Sequence, residues 1–136
     1  MYTVTKAISF CYGHRILHHQ GKCRHLHGHN AKALVTVQAE TLDALGMVVD
    51  FSVLGKRLGA WIDAELDHTL LLADNDPLLP LLQGAGERVQ VLACPPTAEH
   101  LARLIFEQAQ QLGFEVVSVV LEEAEGAQAA YDGKTH

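Results

Sequence analysis

His27-Gly28-His29 places two imidazoles two residues apart, and in an extended segment residues i and i+2 point to the same side. Both rings can therefore converge on one ion, and Gly28 keeps a side chain out of their way. His14, upstream, can supply a third ligand from a neighbouring strand. Three neutral imidazoles with an open fourth position are the usual arrangement of catalytic zinc, whereas structural zinc is closed by four ligands. The chain concentrates its histidines here: six of nine (His14, His18, His19, His25, His27 and His29) fall within sixteen residues. His18, His19 and His25 are assigned to the loop surface, and His136 is read as a tag remnant or simply a terminus.

Cys23 precedes His27 by four residues and has two readings. It is either a fourth zinc ligand, which makes the site structural, or a reactive thiol beside the ion. A thiolate near a cation has a depressed pKa and serves as base or nucleophile. Spacing alone leaves both open. Cys11 and Cys94 are read as small packing residues. Three cysteines are too few for a disulfide scaffold and fit a reduced compartment.

Composition narrows the partners. The formal net charge is −6 and the basic residues are scattered, which argues against a nucleic-acid binder. A phosphate-bearing small molecule remains compatible, because a few local cations suffice to bind it. No apolar stretch approaches the ~20 residues of a membrane-spanning helix, and the first residues do not read as a signal peptide. The expectation is a soluble, cytoplasmic protein of one domain, residues 1–136, with no membrane partner.

The elements that must position these residues follow from periodicity. Tyr2, Val4, Ile8 and Phe10 alternate with smaller or polar residues as in a strand, and Ala31 to Ala39 repeats the pattern. Turn signals between them suit an antiparallel pair. Ser52 is read as a helix cap, followed by an apolar face at Leu54, Leu58, Trp61, Ile62 and Leu66. Thr97 caps a second helix with Glu99 in its first turn, a stripe at Leu101, Leu104, Ile105, Ala109 and Leu112, and Gly113 as its stop. Val116–Glu123 reads as a strand buried on both faces, and a short strand follows near Ala129–Tyr131. Ala73–Cys94 reads mostly as loop, with a short strand at Arg88–Leu92. The order is α+β: an antiparallel sheet with two helices on one face, β-β-α-α-β-β. Its strands are too few to close a barrel and its edges need partners, so an oligomer is expected.

Phe10-x-x-x-His14, Cys23-Arg24-His25-Leu26-His27-Gly28-His29, Val49-Asp50-Phe51, Leu66-Asp67-His68 and Pro96-Thr97-Ala98-Glu99 occur in this order. The series resembles the 6-pyruvoyl-tetrahydropterin synthase / 6-carboxy-tetrahydropterin synthase family, from Phe10 to Glu123. The resemblance implies a tunnelling fold, a homo-oligomeric β-barrel of trimers paired into a hexamer. It implies zinc on His14, His27 and His29, with Cys23 as catalytic thiol. Asp67 and His68 would be its catalytic partners, from a neighbouring subunit. Glu123 aligns with the family's pterin-anchoring carboxylate, and Glu99 is a secondary substrate contact. On strand parity Glu123 lies with Val117, Val119 and Leu121, whereas Glu122 points to the other face.

The substrate so implied is a pterin triphosphate, 7,8-dihydroneopterin triphosphate. The 6-carboxy branch releases triphosphate and acetaldehyde and feeds queuosine (deazaguanine) biosynthesis; the 6-pyruvoyl branch keeps the carbon chain. The short chain favours the carboxy branch. A non-catalytic pterin- or purine-binding protein, or a structural zinc protein, is the alternative of another class. The sequence departs from the family pattern at Tyr12-Gly13, where small residues are common, at Ala31, where an aromatic is often found, and at Pro96, where Asn is usual.

Overall fold

A computed structural model of the chain describes residues 1–135; His136 lies outside them. β1 (Tyr2–His14) and β2 (His27–Ala39) form the long antiparallel pair that alternation predicts, but both run further toward the histidines. β1 continues to His14 and β2 begins at His27, so the ladder extends into both ends of the sequence that reads as a polar loop. Beyond it come α1 (Phe51–Glu65), β3 (Thr69–Ala73), α2 (Leu79–Gly84), β4 (Val89–Leu92), α3 (Ala98–Gln111), β5 (Val116–Ala124) and β6 (Ala127–Tyr131). The sheet order is β4-β3-β1-β2-β5-β6. No helix among the described residues is long and apolar enough to cross a membrane.

The α+β class stands, but the sheet is mixed, because β3 pairs parallel to both β1 and β4. Periodicity assigns no element to Thr69–Leu72, and the reason is burial. Leu71 and Leu72 are both fully buried, so β3 lacks the polar alternation that marks a half-exposed strand. α2 lies inside the expected loop and buries no residue, so it carries no apolar stripe to read. The cap of α1 is Asp50 rather than Ser52: its backbone is extended, and its Oδ1 accepts from both N and Oγ of Ser52. A carboxylate there also suits the positive end of the helix dipole. Thr97 caps α3 as expected, accepting from the His100 N–H, and Gly113 ends it at φ +93°.

One face of the sheet carries the core. Phe10, Tyr12, Ala33, Val35, Val119 and Leu121 point into it, and Leu54, Leu58 and Ile62 of α1 and Leu101, Ile105 and Ala109 of α3 cover them. Removing such side chains from water, at about 25 cal/mol per Å² of apolar surface, is what holds the helices to the sheet. The opposite face is open, with Thr3, Thr5, Ala7 and Ser9 of β1 exposed. β5 is therefore buried on one face only, with Ser118 and Val120 half-covered on the other. A bulge against β2 between Thr36 and Val37 puts Val116, not Val117, opposite Val37 on the core face. Parity then holds to Glu122, and Glu123, at a second irregularity against β6 between Glu122 and Ala124, turns its carboxylate to Tyr12 and the histidines on the face of Val119 and Leu121.

The chain just after His14 is tied down by a buried ion pair. Arg15 Nε donates to Asp76 Oδ2 at 2.8 Å, its Nη2 donates to Oδ1, and the Leu78 N–H also donates to Asp76. The guanidinium holds the Asp76 carboxyl below the usual carboxylate range. Breaking one partner of a buried pair leaves the other charge uncompensated, so Asp76→Asn should cost about 3 kcal/mol in denaturant unfolding. The contribution of Asp76 is present above its unfolded pKa of about 3.9 and is lost as pH falls through its lower folded value. The difference between wild type and Asp76→Asn should accordingly shrink in acid.

Candidate active site

His14 ends β1 and His27 opens β2, and the antiparallel register sets them directly opposite, with His29 opposite Tyr12. Alternation puts all three imidazoles on the core face. Their ring centroids lie 4.6–5.1 Å apart, and one nitrogen from each falls within 4.8 Å of the others. Gly28 faces Gly13 across the ladder, and a Cβ on Gly28 would sit 3.3 Å from the Tyr12 carbonyl oxygen.

The two nitrogens of each ring have different partners. His14 Nδ1 donates to the Pro96 carbonyl and His27 Nδ1 to the His25 carbonyl, each at 2.7 Å. A carbonyl only accepts, so each Nδ1 carries a proton and each neutral ring presents the bare lone pair of Nε2. His29 Nε2 is buried without a hydrogen-bond partner. Burial pushes the His14 pKa below the usual histidine range, which keeps that ring neutral. Imidazole nitrogens converging on one point, one of them buried without a partner, with outer carbonyls fixing two of the rings, are the chemistry of a divalent metal site. The three histidines fit zinc. The departure at Pro96 does not disturb this, since the contact to His14 uses the main-chain carbonyl.

Cys23 sits in a 3-10 turn, Lys22–Arg24, folded back on β1 by a bond from the Ile16 N–H to its carbonyl. It is half-buried and lines a hollow of about 200 Å³ together with His14, His27, His29, Glu99 and Glu123. The nitrogens within 4.8 Å of one another belong to the three histidines alone, so the thiol borders the cluster without joining it. Glu123 stands nearer: its Oε1 is 3.5 Å from both His14 Nε2 and His29 Nε2 and accepts from the Tyr12 hydroxyl at 2.8 Å. Glu99, exposed in the first turn of α3, borders this hollow and an adjoining one of about 390 Å³ beside β6. His18, His19 and His25 are exposed, as expected.

Asp67 and His68 are not brought to Cys23. Their turn follows α1, where His68 takes φ +54° and exposes 76% of its side chain. Asp67 Oδ2 accepts from His68 Nδ1 at 2.8 Å, and Oδ1 accepts from the Cys11 N–H at 2.9 Å. That N–H, with His68, holds the Asp67 carboxyl below its usual range. Cys11 has odd parity in β1, opposite to His14, so the pair opens on the other face of the sheet, into a cleft of about 570 Å³.

Two residues of this region escape sequence reasoning. Cys11 is more than packing, since its Sγ lies 3.5 Å from His68 Nδ1 and its backbone brackets the Asp67-His68 turn. Only the non-local pairing of β1 with the turn before β3 reveals it. Tyr12 stands out in the sequence as a departure, and its surroundings give it a role. Buried beside His14 and His29, it donates its hydroxyl proton to Glu123. Burial and the Glu123 carboxylate push its pKa well above the usual tyrosine value.

Fold and site together define a class: α+β chains that gather three imidazoles at one end of a curled sheet, beside a thiol and a half-buried carboxylate. Comparison with known proteins specifies it. Residues 3–134 match the family model described as 6-pyruvoyl tetrahydropterin synthase, and the chain belongs to that family. The 6-carboxy-5,6,7,8-tetrahydropterin synthase of Rickettsia bellii is 39% identical over 104 residues, 75% of each chain. The protein of that name from Aquifex aeolicus is 36% identical over 124 residues, covering 81% of this chain and 75% of its own length. An uncharacterized protein from Wolinella succinogenes has the same fold, with TM-score 0.80, 27% identity and 98% of each chain covered. The 6-pyruvoyl tetrahydropterin synthase of Caenorhabditis elegans superposes with TM-score 0.73 at 23% identity, over 98% of this chain and 96% of its own.

The geometry puts His27 in the histidine cluster and Cys23 at its border. His27→Ala should weaken zinc binding by more than the ~10–100-fold typical of losing an outer-shell partner. Cys23→Ala should keep about one zinc per chain. Metal content after dialysis and competition titration reads both.

Proposed function

We propose that this chain is a zinc-dependent 6-carboxy-5,6,7,8-tetrahydropterin synthase, a lyase acting in the cytoplasm. It takes 7,8-dihydroneopterin triphosphate and water to 6-carboxytetrahydropterin, acetaldehyde and triphosphate, within queuosine (deazaguanine) biosynthesis. The observation that carries it is the convergence of three imidazoles beside Cys23 and Glu123. The names of the relatives in Rickettsia and Aquifex support the product.

When bound, zinc supplies Lewis acidity that polarises the substrate's side-chain oxygens and acidifies the adjacent C–H. His14, His27 and His29 hold it, with Pro96 and His25 orienting two of the rings. Cys23, at the rim of the hollow, moves protons as general base. Glu123 accepts the pterin's N–H donors in a largely apolar pocket, where a few polar groups set orientation. Glu99 borders the same space as a secondary contact. His68 acts as general acid and Asp67 orients its imidazole.

The two groups lie on opposite faces of one chain, which supports a composite site: Cys23 from one copy meets Asp67 and His68 from the next. Trimers paired into a hexamer would also cover the open face of the sheet and the edges β4 and β6. Residues 1–136 then act as one domain of the assembly. The family model's description favours one second reading, a 6-pyruvoyl tetrahydropterin synthase that retains the carbon chain.

The product assay separates these. Pure protein with 7,8-dihydroneopterin triphosphate should release acetaldehyde and triphosphate in equal amounts; triphosphate alone identifies the pyruvoyl reaction. Cys23→Ala should lose about 10²–10⁴-fold in kcat, the usual share of general acid–base catalysis. Composite sites predict complementation. Cys23→Ala and His68→Ala, each inactive, should recover about a quarter of wild-type activity when unfolded together and refolded as mixed oligomers. An active monomer in sedimentation would exclude the assembly.

A further inference from the structure

Beside the turn that precedes β3, a second group of ligand-type atoms converges. Cys11 Sγ, a carboxylate oxygen of Asp67 and a ring nitrogen of His68 lie within 4.8 Å of one another. Sγ is 3.5 Å from His68 Nδ1, and the same Nδ1 is 2.8 Å from Asp67 Oδ2. Nδ1 donates its proton to the carboxylate, so thiol, imidazole and carboxylate crowd around one shared hydrogen. No step of the proposed reaction uses the Cys11 thiol.

The main chain fixes this arrangement. The Cys11 N–H donates to Asp67 Oδ1 at 2.9 Å, and the His68 N–H donates to the Cys11 carbonyl at 2.7 Å. Cys11 lies within the long β1–β2 ladder, opposite Asn30, so the turn is hooked to a rigid strand. The hooks keep His68 at φ +54°, a left-handed conformation that a non-glycine residue holds at a cost. Ligand atoms placed in advance by the backbone lose little further freedom on taking an ion.

The donor set selects the ion. Thiolate and imidazole beside one carboxylate suit zinc or cobalt, whereas magnesium and calcium favour oxygen shells. With Zn–S of about 2.3 Å and Zn–N of about 2.0–2.1 Å, a tetrahedral ion sets sulfur and nitrogen about 3.5 Å apart. Cys11 Sγ and His68 Nδ1 already stand at that separation. Nδ1 and Oδ2 must part by about half an ångström once the proton between them is replaced. The exposed His68 side chain is free to make that move. Cys11 and His68 line the cleft of about 570 Å³, where Glu87 adds negative charge and Arg88 donates to the carbonyls of Asp63 and Ala64.

We propose that Cys11, Asp67 and His68 form a second metal site, which takes one zinc-like divalent ion on a thiolate, a carboxylate oxygen and an imidazole, with water completing the shell. On binding, the thiol proton leaves to solvent and the imidazole proton passes from Nδ1 to Nε2. The ion and the proton shared by Asp67 and His68 therefore exclude one another. Three ligands on an exposed turn bind less firmly than the histidine centre, so dialysis empties this site first. The site rests on no part of the lyase reading.

The test accordingly needs no pterin. Full-length protein, equilibrated with zinc and dialysed, is titrated with Co²⁺ and followed by absorption, where a thiolate-to-cobalt band reports sulfur ligation. Wild type should take up about one Co²⁺ per chain with that band. Cys11→Ser should abolish the band and raise the Co²⁺ Kd more than about tenfold, with the zinc retained after dialysis unchanged. His68→Asn, which tolerates positive φ, should weaken the cobalt site similarly and covers the case of a Ser variant that does not fold. Cys23→Ala and Cys94→Ala should keep the band. A band that survives in Cys11→Ser, or that is lost in Cys23→Ala, overturns the proposal. So does a wild-type titration without the band, which leaves the cluster a hydrogen-bonded turn only.

Discussion

Three converging imidazoles, one buried and two half-buried, with their inward nitrogens facing one another are the constraint on which this structure turns. Such a cluster is tolerable only if every ring is held in one tautomer and one orientation, because a buried polar atom without a partner costs about 1–3 kcal/mol. Two main-chain carbonyls, of Pro96 and His25, hold two of the rings. Pro96 can do this because it directly precedes the cap of α3 and is itself fully buried. The helix start, the Pro95-Pro96 turn and the end of β1 are thereby bound to the geometry of one site.

That geometry depends in turn on register. A slip of one residue between β1 and β2 would send His27 and His29 to the open face and separate them from His14. The long ladder from Tyr2 to His14 prevents the slip, since each apolar residue it buries against α1 and α3 would be exposed by it. The core and the site therefore support each other: the same alternation that packs Ala31, Ala33 and Val35 under the helices aims the imidazoles.

The two faces of the sheet divide the chemistry. His14, His27, His29, the Cys23 thiol and Glu123 line one hollow, while Cys11 and His68 line a second cleft that His27 and His29 also border. Tyr12 and Cys11 are neighbours in sequence and serve opposite faces, one bonded to Glu123 and the other bracketing Asp67.

Much of this was legible in the amino-acid sequence. Strand alternation, the stripes of α1 and α3, the Thr97 cap, the His14, His27 and His29 set and the parity of Glu123 all follow from local spacing, because period and side-chain direction are properties of a single element. What local spacing could not carry was anything decided between elements. β3 is buried on both faces and so shows no period; α2 buries nothing and so shows no stripe; the bulge before Ser118 arises from pairing with β2. The site divides in the same way. Residue types and spacing marked the three histidines that converge, whereas the Pro96 and His25 carbonyls, the Tyr12 bond to Glu123 and the contact of Cys11 with Asp67 and His68 join residues in different elements or loops. Only packing brings those atoms within hydrogen-bonding reach, so only the tertiary structure determines which lone pairs are satisfied and which are left without a partner.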